Sequence, residues 1–183
     1  YMANSYTGGM DIATMLADIM TKNVLEGGLY AYTPNANTRD TWDLISALDV
    51  EDANNGTGTL RQTKLDPMQA FVCRNKTAEN YTDTINYKNV VWNHRNEAKA
   101  VNHAPARRSA SSNWDKVKVV VISNDFSQAV TLRQSAQFSS DYDNGGDITV
   151  MENGEFNVYA ETELGNLAQV ATDNLVGQIL TID

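Results

Sequence analysis

Histidine, cysteine and proline are scarce in this chain, with 2, 1 and 3 residues respectively among 183. A lone cysteine forms no internal disulfide, supplies no Cys-x-x-Cys pair and leaves the redox compartment open. Cys73 stands in the run Ala70-Phe71-Val72-Cys73, where it reads as a small buried hydrophobe rather than a nucleophile. His94 and His103 would need Asp, Glu or Cys beside them to complete a zinc shell, and their surroundings lack ligand spacing. Long apolar runs are missing as well. No stretch approaches the roughly 18 to 20 residues of a membrane-spanning helix, and no signal peptide precedes Tyr1. A start on tyrosine instead of methionine reads as a piece excised from something larger, so the missing export signal decides nothing.

Positive charge is the other shortage. The formal net charge is -9, from 14 basic and 23 acidic residues, and residues 119–183 carry 1 basic against 10 acidic. An acidic body repels a phosphate backbone. The patch around Arg95, Lys99, Arg107 and Arg108 runs against this trend but has no interleaved aromatics on which bases could stack. It reads as a solvated loop that pairs with the acidic remainder, and nucleic acid is not an expected partner. Asn, Thr, Ser and Gly are plentiful, which suits a hydrated exterior protein. The sequons Asn55-Gly56-Thr57, Asn75-Lys76-Thr77 and Asn80-Tyr81-Thr82 matter only in a host that glycosylates them.

What the chain does have is a succession of short apolar runs separated by turn residues. Val117, Val119, Val120, Val121 and Ile122 precede a dense turn at Tyr142-Asp143-Asn144-Gly145-Gly146-Asp147, the pattern of antiparallel strands. Strands are expected at Leu29–Tyr32, Gln69–Cys73, Ile85–Trp92, Lys116–Ile122, Ala129–Arg133, Ile148–Met151, Phe156–Ala160 and Leu175–Ile182. Val119–Ile122, apolar throughout, is expected to be interior. Leu164–Ala171 fits a strand or a helix. Trp42, Leu44, Ile45 and Leu48 also fit either. Ile12, Met15, Leu16 and Ile19 recur at helical spacing behind Asp11, predicting one short helix over 12–22 that stops near Gly27-Gly28. The fold class expected is mainly β: a two-sheet antiparallel β-sandwich with one short N-terminal helix, forming a single domain over 1–183 with a flexible internal loop at 96–113.

Candidate sites are few. Asp141, Asp143, Asn144 and Asp147 crowd one turn, and Glu152 falls at the twelfth position counted from Asp141. A calcium loop needs oxygen donors at alternate positions, and glycine at 145 removes the third. The same residues suit a turn whose carboxylates accept backbone amides. A calcium site on Asp141, Asp143 and Asp147 is the one cofactor reading, and no other cofactor is expected. No glycine-flanked serine, phosphate-cradling loop or selected carboxylate pair points to catalysis, so a noncatalytic role is expected. Tyr30 and Tyr32 share one face of their strand and, with Trp42, are the aromatics that could stack on a sugar ring, although all three also suit a core.

Whole segments then show a likeness. Pro67-Met68-Gln69-Ala70-Phe71-Val72, the strand Val117–Ile122, the run Phe138–Asp147 and Phe156-Asn157-Val158-Tyr159-Ala160 together resemble the β-sandwich module near the C-terminus of large secreted or surface-anchored proteins of Bacteroidetes. Such modules often stand upstream of a type IX secretion sorting domain. Tyr1-Met2-Ala3-Asn4-Ser5 resembles the segment that follows an Asn-Pro pair there. Gly146 stands where such modules often have an aromatic, and a lysine common after the last aspartate is missing. The resemblance implies export across two membranes to the cell surface or exterior, and a jelly-roll-like or immunoglobulin-like sandwich. It also implies service as a structural or adhesive module beside neighbouring domains of the parent chain, with a glycan or a host or surface protein as further partners. It carries no catalytic residues onto this chain. The alternative is a carbohydrate-binding module using exposed aromatics, and a self-assembling phage or pilus subunit is a third reading.

Overall fold

The computed structural model describes residues 1–33, 41–76, 114–123, 126–152 and 157–175. The expected strand at Ile85–Trp92, both histidines, the basic patch at 95–108, the loop at 96–113, the Asn80 sequon, Phe156 and 176–182 lie outside the described residues. The described residues are mainly β, with two sheets of four and five strands, a two-stranded ribbon and two short helices. It divides into two compact units, Tyr1–Tyr32 with Asp43–Ser112, and Thr33–Trp42 with Asn113–Asp183.

The first helix, α1 (Ile12–Lys22), starts where Asp11 accepts the Thr14 amide at 2.7 Å. Its stop is Asn23, at φ 56, whose amide donates to Ile19 O. The span 12–22 is as expected, but the residue that ends it is Asn23 and not Gly27-Gly28: asparagine tolerates the left-handed conformation well enough to cap the helix. The apolar stripe Ile12, Met15, Leu16 and Ile19 shares one buried cluster with Leu29, Ala31, Ile45 and Phe71. Each such side chain contributes roughly 1.5–3 kcal/mol relative to exposure. The sheet order is β1 (Met2–Ala3), β6 (Ala70–Val72), β3 (Gly28–Thr33), β4 (Thr41–Ser46), with Ala31 opposite Phe71 and Met2 opposite Phe71 on its other edge. β2 (Met10–Asp11) follows β1 across a short connection and pairs with β5 (Lys64–Leu65).

A second helix, α2 (Ala47–Asn54), corrects the expectation of a single one. The ambiguous stretch Trp42–Leu48 is both strand and helix, switching at Ser46. The Ser46 hydroxyl accepts the Asp49 amide at 3.1 Å and the Asp49 carboxylate accepts the Ser46 amide at 3.0 Å, a reciprocal capping box. Only Asp52 is buried on α2, so no apolar stripe announces it.

Asn4 ties the N-terminal loop to the turn before β6. Its side-chain amide donates to Gly8 O at 2.8 Å, Leu65 O at 3.0 Å and Asp66 O at 3.2 Å, while Oδ1 accepts the Tyr6 amide at 3.1 Å. That turn is Asp66-Pro67-Met68-Gln69, closed by Gln69 N–H donating to Asp66 O at 3.0 Å. Met68 takes φ 64, the value that type II geometry demands after proline and that glycine or asparagine usually fills.

In the second unit β7 (Asp115–Ser123) and β8 (Phe126–Gln134) pair antiparallel along their whole length. β9 (Ile148–Thr149), β10 (Ala160–Thr162) and β11 (Gly165–Thr172) complete the sheet, in the order β10-β11-β8-β7 with β9 also on β11. Leu164–Ala171 is therefore strand from Gly165 onward, not helix. β11 runs parallel to β8, Gln169 beside Thr131 through Thr172 beside Gln134, which corrects the wholly antiparallel expectation. The chain returns to β8 through residues 135–164, a connection long enough for the crossover that a parallel neighbour requires. Val130, Val158 and Ala160 form this unit's buried cluster, with Val119, Val121, Leu132 and Val170 packed against it. Val119–Ile122 is not interior as expected. β7 ends the sheet order among the described strands, and Val120 and Ile122 are 48% and 74% exposed.

Candidate functional site

Among the described residues, polar side chains gather in the turn at 139–147, held against β11. Asp143 Oδ2 accepts the Ser139 amide at 2.7 Å and the Ser139 hydroxyl at 3.2 Å. The Asp143 carbonyl accepts the amides of Gly146 and Asp147 at 2.9 and 2.7 Å. Buried Asp147 uses both carboxylate oxygens on main chain, Oδ2 accepting Asp143 N–H at 2.7 Å and Oδ1 accepting Ala171 N–H at 2.9 Å. The Gln169 side chain donates to Gly145 O at 3.2 Å and Gly146 O at 2.9 Å. Ile148 pairs with Gln169 in the β9–β11 ladder, and the Asp147 carboxylate serves Ala171 where the next strand carbonyl would stand. The turn thus extends the covering of a sheet edge beyond the two residues of β9.

Close packing dictates the glycine in this turn. A Cβ on Gly146 would lie 2.7 Å from Ala171 Cβ and 3.3 Å from Asp143 Cβ, so the aromatic that the resemblance leads one to expect at this position has no room. Gly145 takes φ 82, which suits a residue without a side chain.

Of the calcium candidates, Asp141 is exposed and its main-chain carbonyl accepts from Ser139 Oγ at 3.2 Å. Asp143 and Asp147 are engaged with amides as above. Among the described residues no three His, Cys, Asp or Glu side chains are gathered as a metal-binding group. Of the aromatics, Tyr30 and Tyr32 are half-buried and alternate along β3 with Leu29 and Ala31, which belong to the core. Trp42, on β4, is half-buried and falls in the other unit.

Arg133 is the residue that pattern reading treated as ordinary. It is wholly buried on β8, its guanidinium carbon 5.4 Å from the centre of the Trp114 ring, which packs on Phe138 at 5.9 Å. A cation over an aromatic face is attractive when desolvated. No local signal marks it: Arg133 shares the polar parity of Thr131 on β8, opposite Val130 and Leu132, yet both polar residues are buried.

Cys73 packs against the first unit's core, and burial pushes its thiol from 9.0 up to about 12. Near pH 8 the native thiolate fraction is therefore about a thousandfold below that of an ordinary cysteine. A chromogenic disulfide reagent is expected to label Cys73 slowly in the folded protein and fast in urea; equal rates would contradict a half-buried thiol with a raised pKa. Because the folded value is the higher one, this group's contribution to stability is intact below pH 9.0 and is lost as pH rises toward about 12.

Set against protein-family models, curated proteins and solved structures, the chain matches none of them.

Proposed function

We propose that this chain is a noncatalytic structural or adhesive module of a secreted or surface-displayed bacterial protein. The observation that carries the reading is the use made of its polar side chains. In the turn at 139–147, Asp143 and Asp147 accept hydrogen bonds from main-chain amides and a serine hydroxyl; in the first unit buried Asn4 likewise binds only main chain. Groups so engaged build architecture rather than the convergent acid, base or nucleophile that catalysis uses. β7 adds exposed Val120 and Ile122 on one face of the strand, which suits protein contact better than chemistry. A jelly-roll-like or immunoglobulin-like sandwich belongs to the same proposal; each unit buries an apolar set of its own.

The second reading, a carbohydrate-binding module, is favoured by one observation: Tyr30 and Tyr32 stand together on the face of β3 turned away from Leu29 and Ala31. Pull-down on insoluble polysaccharides and a glycan array distinguish the two. A structural module is expected to bind neither. Retention that disappears on changing Tyr30→Ala and Tyr32→Ala together, with the circular dichroism unchanged, would replace the first reading with the second.

A further inference from the structure

The sequence contains three Asn-Gly pairs, Asn55-Gly56, Asn144-Gly145 and Asn153-Gly154, the third outside the described residues. Asn-Gly is the dipeptide in which the following main-chain nitrogen, unshielded by a side chain, most easily reaches the asparagine side-chain carbonyl. The reaction also requires the asparagine to swing out of a helical backbone conformation, so the surroundings of each pair decide whether it proceeds. The two described pairs sit in opposite surroundings.

Asn55 caps the C-terminal end of α2 with φ -82 and ψ -5, and Asn54, Asn55 and Gly56 are all exposed. Its amide donates to Glu51 O at 2.9 Å, and Gly56 N–H makes a longer bond to Ala53 O at 3.2 Å. Rotation here disturbs the fraying end of a short helix and no buried side chain on the rotating residues. Asn144 is half-buried and bridges to Asp147, while Gly145, Gly146 and Asp147 are buried and the carbonyls of Gly145 and Gly146 are held by Gln169. Rotation there would pull the turn off β11.

We propose that Asn55 is a site of spontaneous deamidation in the folded protein and that Asn144 is protected by the fold. The Gly56 nitrogen loses its proton to solvent base and forms a bond to Asn55 Cγ. The bond from Cγ to the side-chain nitrogen breaks, that nitrogen leaves as ammonia, and a five-membered succinimide remains. Solvent water then adds to either ring carbonyl, giving aspartate or isoaspartate; no electrons are gained or lost. Either product places a new carboxylate at the C-terminal end of α2, beside Glu51 and Asp52 in a last turn without a basic residue, where the helix dipole disfavours negative charge. Isoaspartate also lengthens the main chain by one methylene, displacing the amides of Thr57 and Gly58 from Asp52 O, which they reach at 2.9 and 3.1 Å.

Incubation in mildly alkaline buffer, followed by peptide mapping with fragmentation, tests the site. Asn55 is expected to convert at least about tenfold faster than Asn144 in the folded chain, because opening at 144–145 must break both Gln169 bonds. In urea the two pairs are expected to convert at similar rates, and Asn55→Gln is expected to remove the first signal while leaving the fold intact. Conversion of Asn144 first, equal rates in the folded chain, or an intact Asn55 under conditions where the unfolded chain reacts would each overturn the proposal.

Discussion

Asn4→Ala is expected to destabilise the chain by about 3 kcal/mol, since an unsatisfied buried polar group costs about 1–3 kcal/mol and several are created at once. The side chain is wholly buried, donates to the carbonyls of Gly8, Leu65 and Asp66, and accepts from Tyr6 N–H. Its main chain adds two further links, donating to Gln69 O at 3.0 Å and accepting Met68 N–H at 2.8 Å. Truncation leaves those main-chain links but removes the side-chain bonds from Asn4 to Gly8, to Leu65 of β5 and to Asp66 of the proline turn. Asn4→Asp separates the contributions. It keeps the acceptor for Tyr6 but sets a second oxygen against three carbonyls, and is expected to cost at least as much as alanine. Urea titration by circular dichroism measures both. A loss below about 1 kcal/mol in the alanine variant, with the slope unchanged, would mean that water takes over these bonds.

Much of the first unit was legible because its signals are local. Asp11 precedes an apolar stripe at helical spacing, and the structure puts the N-cap and Ile12–Lys22 there. Pro67 announces a turn before β6, and the turn closes as type II. α2 was hidden for a physical reason, since its one fully buried residue is Asp52, Val50 packs only partly on the core, and a cap and a place beside α1 hold it. The Ser46-x-x-Asp49 spacing was nonetheless readable as a capping box.

The second unit shows the opposite balance. Strand positions follow alternation, so β7 and β8 stand where Lys116–Ile122 and Ala129–Arg133 suggested. Strand order does not follow from alternation. An apolar run such as Val119–Ile122 is the same sequence whether its outer edge is paired or ends the sheet, and neither does β11 carry a mark of its parallel neighbour. The acidic turn was legible as two alternatives. The bond that Asp147 receives from Ala171, a residue 24 positions away in sequence, is one that no local spacing can reveal.

Asp147→Ala is expected to have a comparably large effect in the second unit, again about 3 kcal/mol, because it strips two main-chain amides of their acceptor. Ala171 is itself buried, so its amide has no easy route to solvent. Asp147→Asn is the informative partner. Both oxygens of the aspartate accept, one from Asp143 and one from Ala171, whereas asparagine offers a single acceptor and turns its NH2 toward the other amide. Asparagine is therefore expected to lose at least half of what alanine loses, although it matches aspartate in size. Hydrogen exchange gives the local readout: protection at Ala171 and Asp143 is expected to fall first, with Val119–Val121 on β7 unaffected until global opening. If calcium were the true occupant of this turn, millimolar calcium would raise the wild-type melting temperature and the two variants would lose that increment. If instead the carboxylate is a main-chain acceptor, calcium leaves the wild type unchanged while both substitutions still lower its stability.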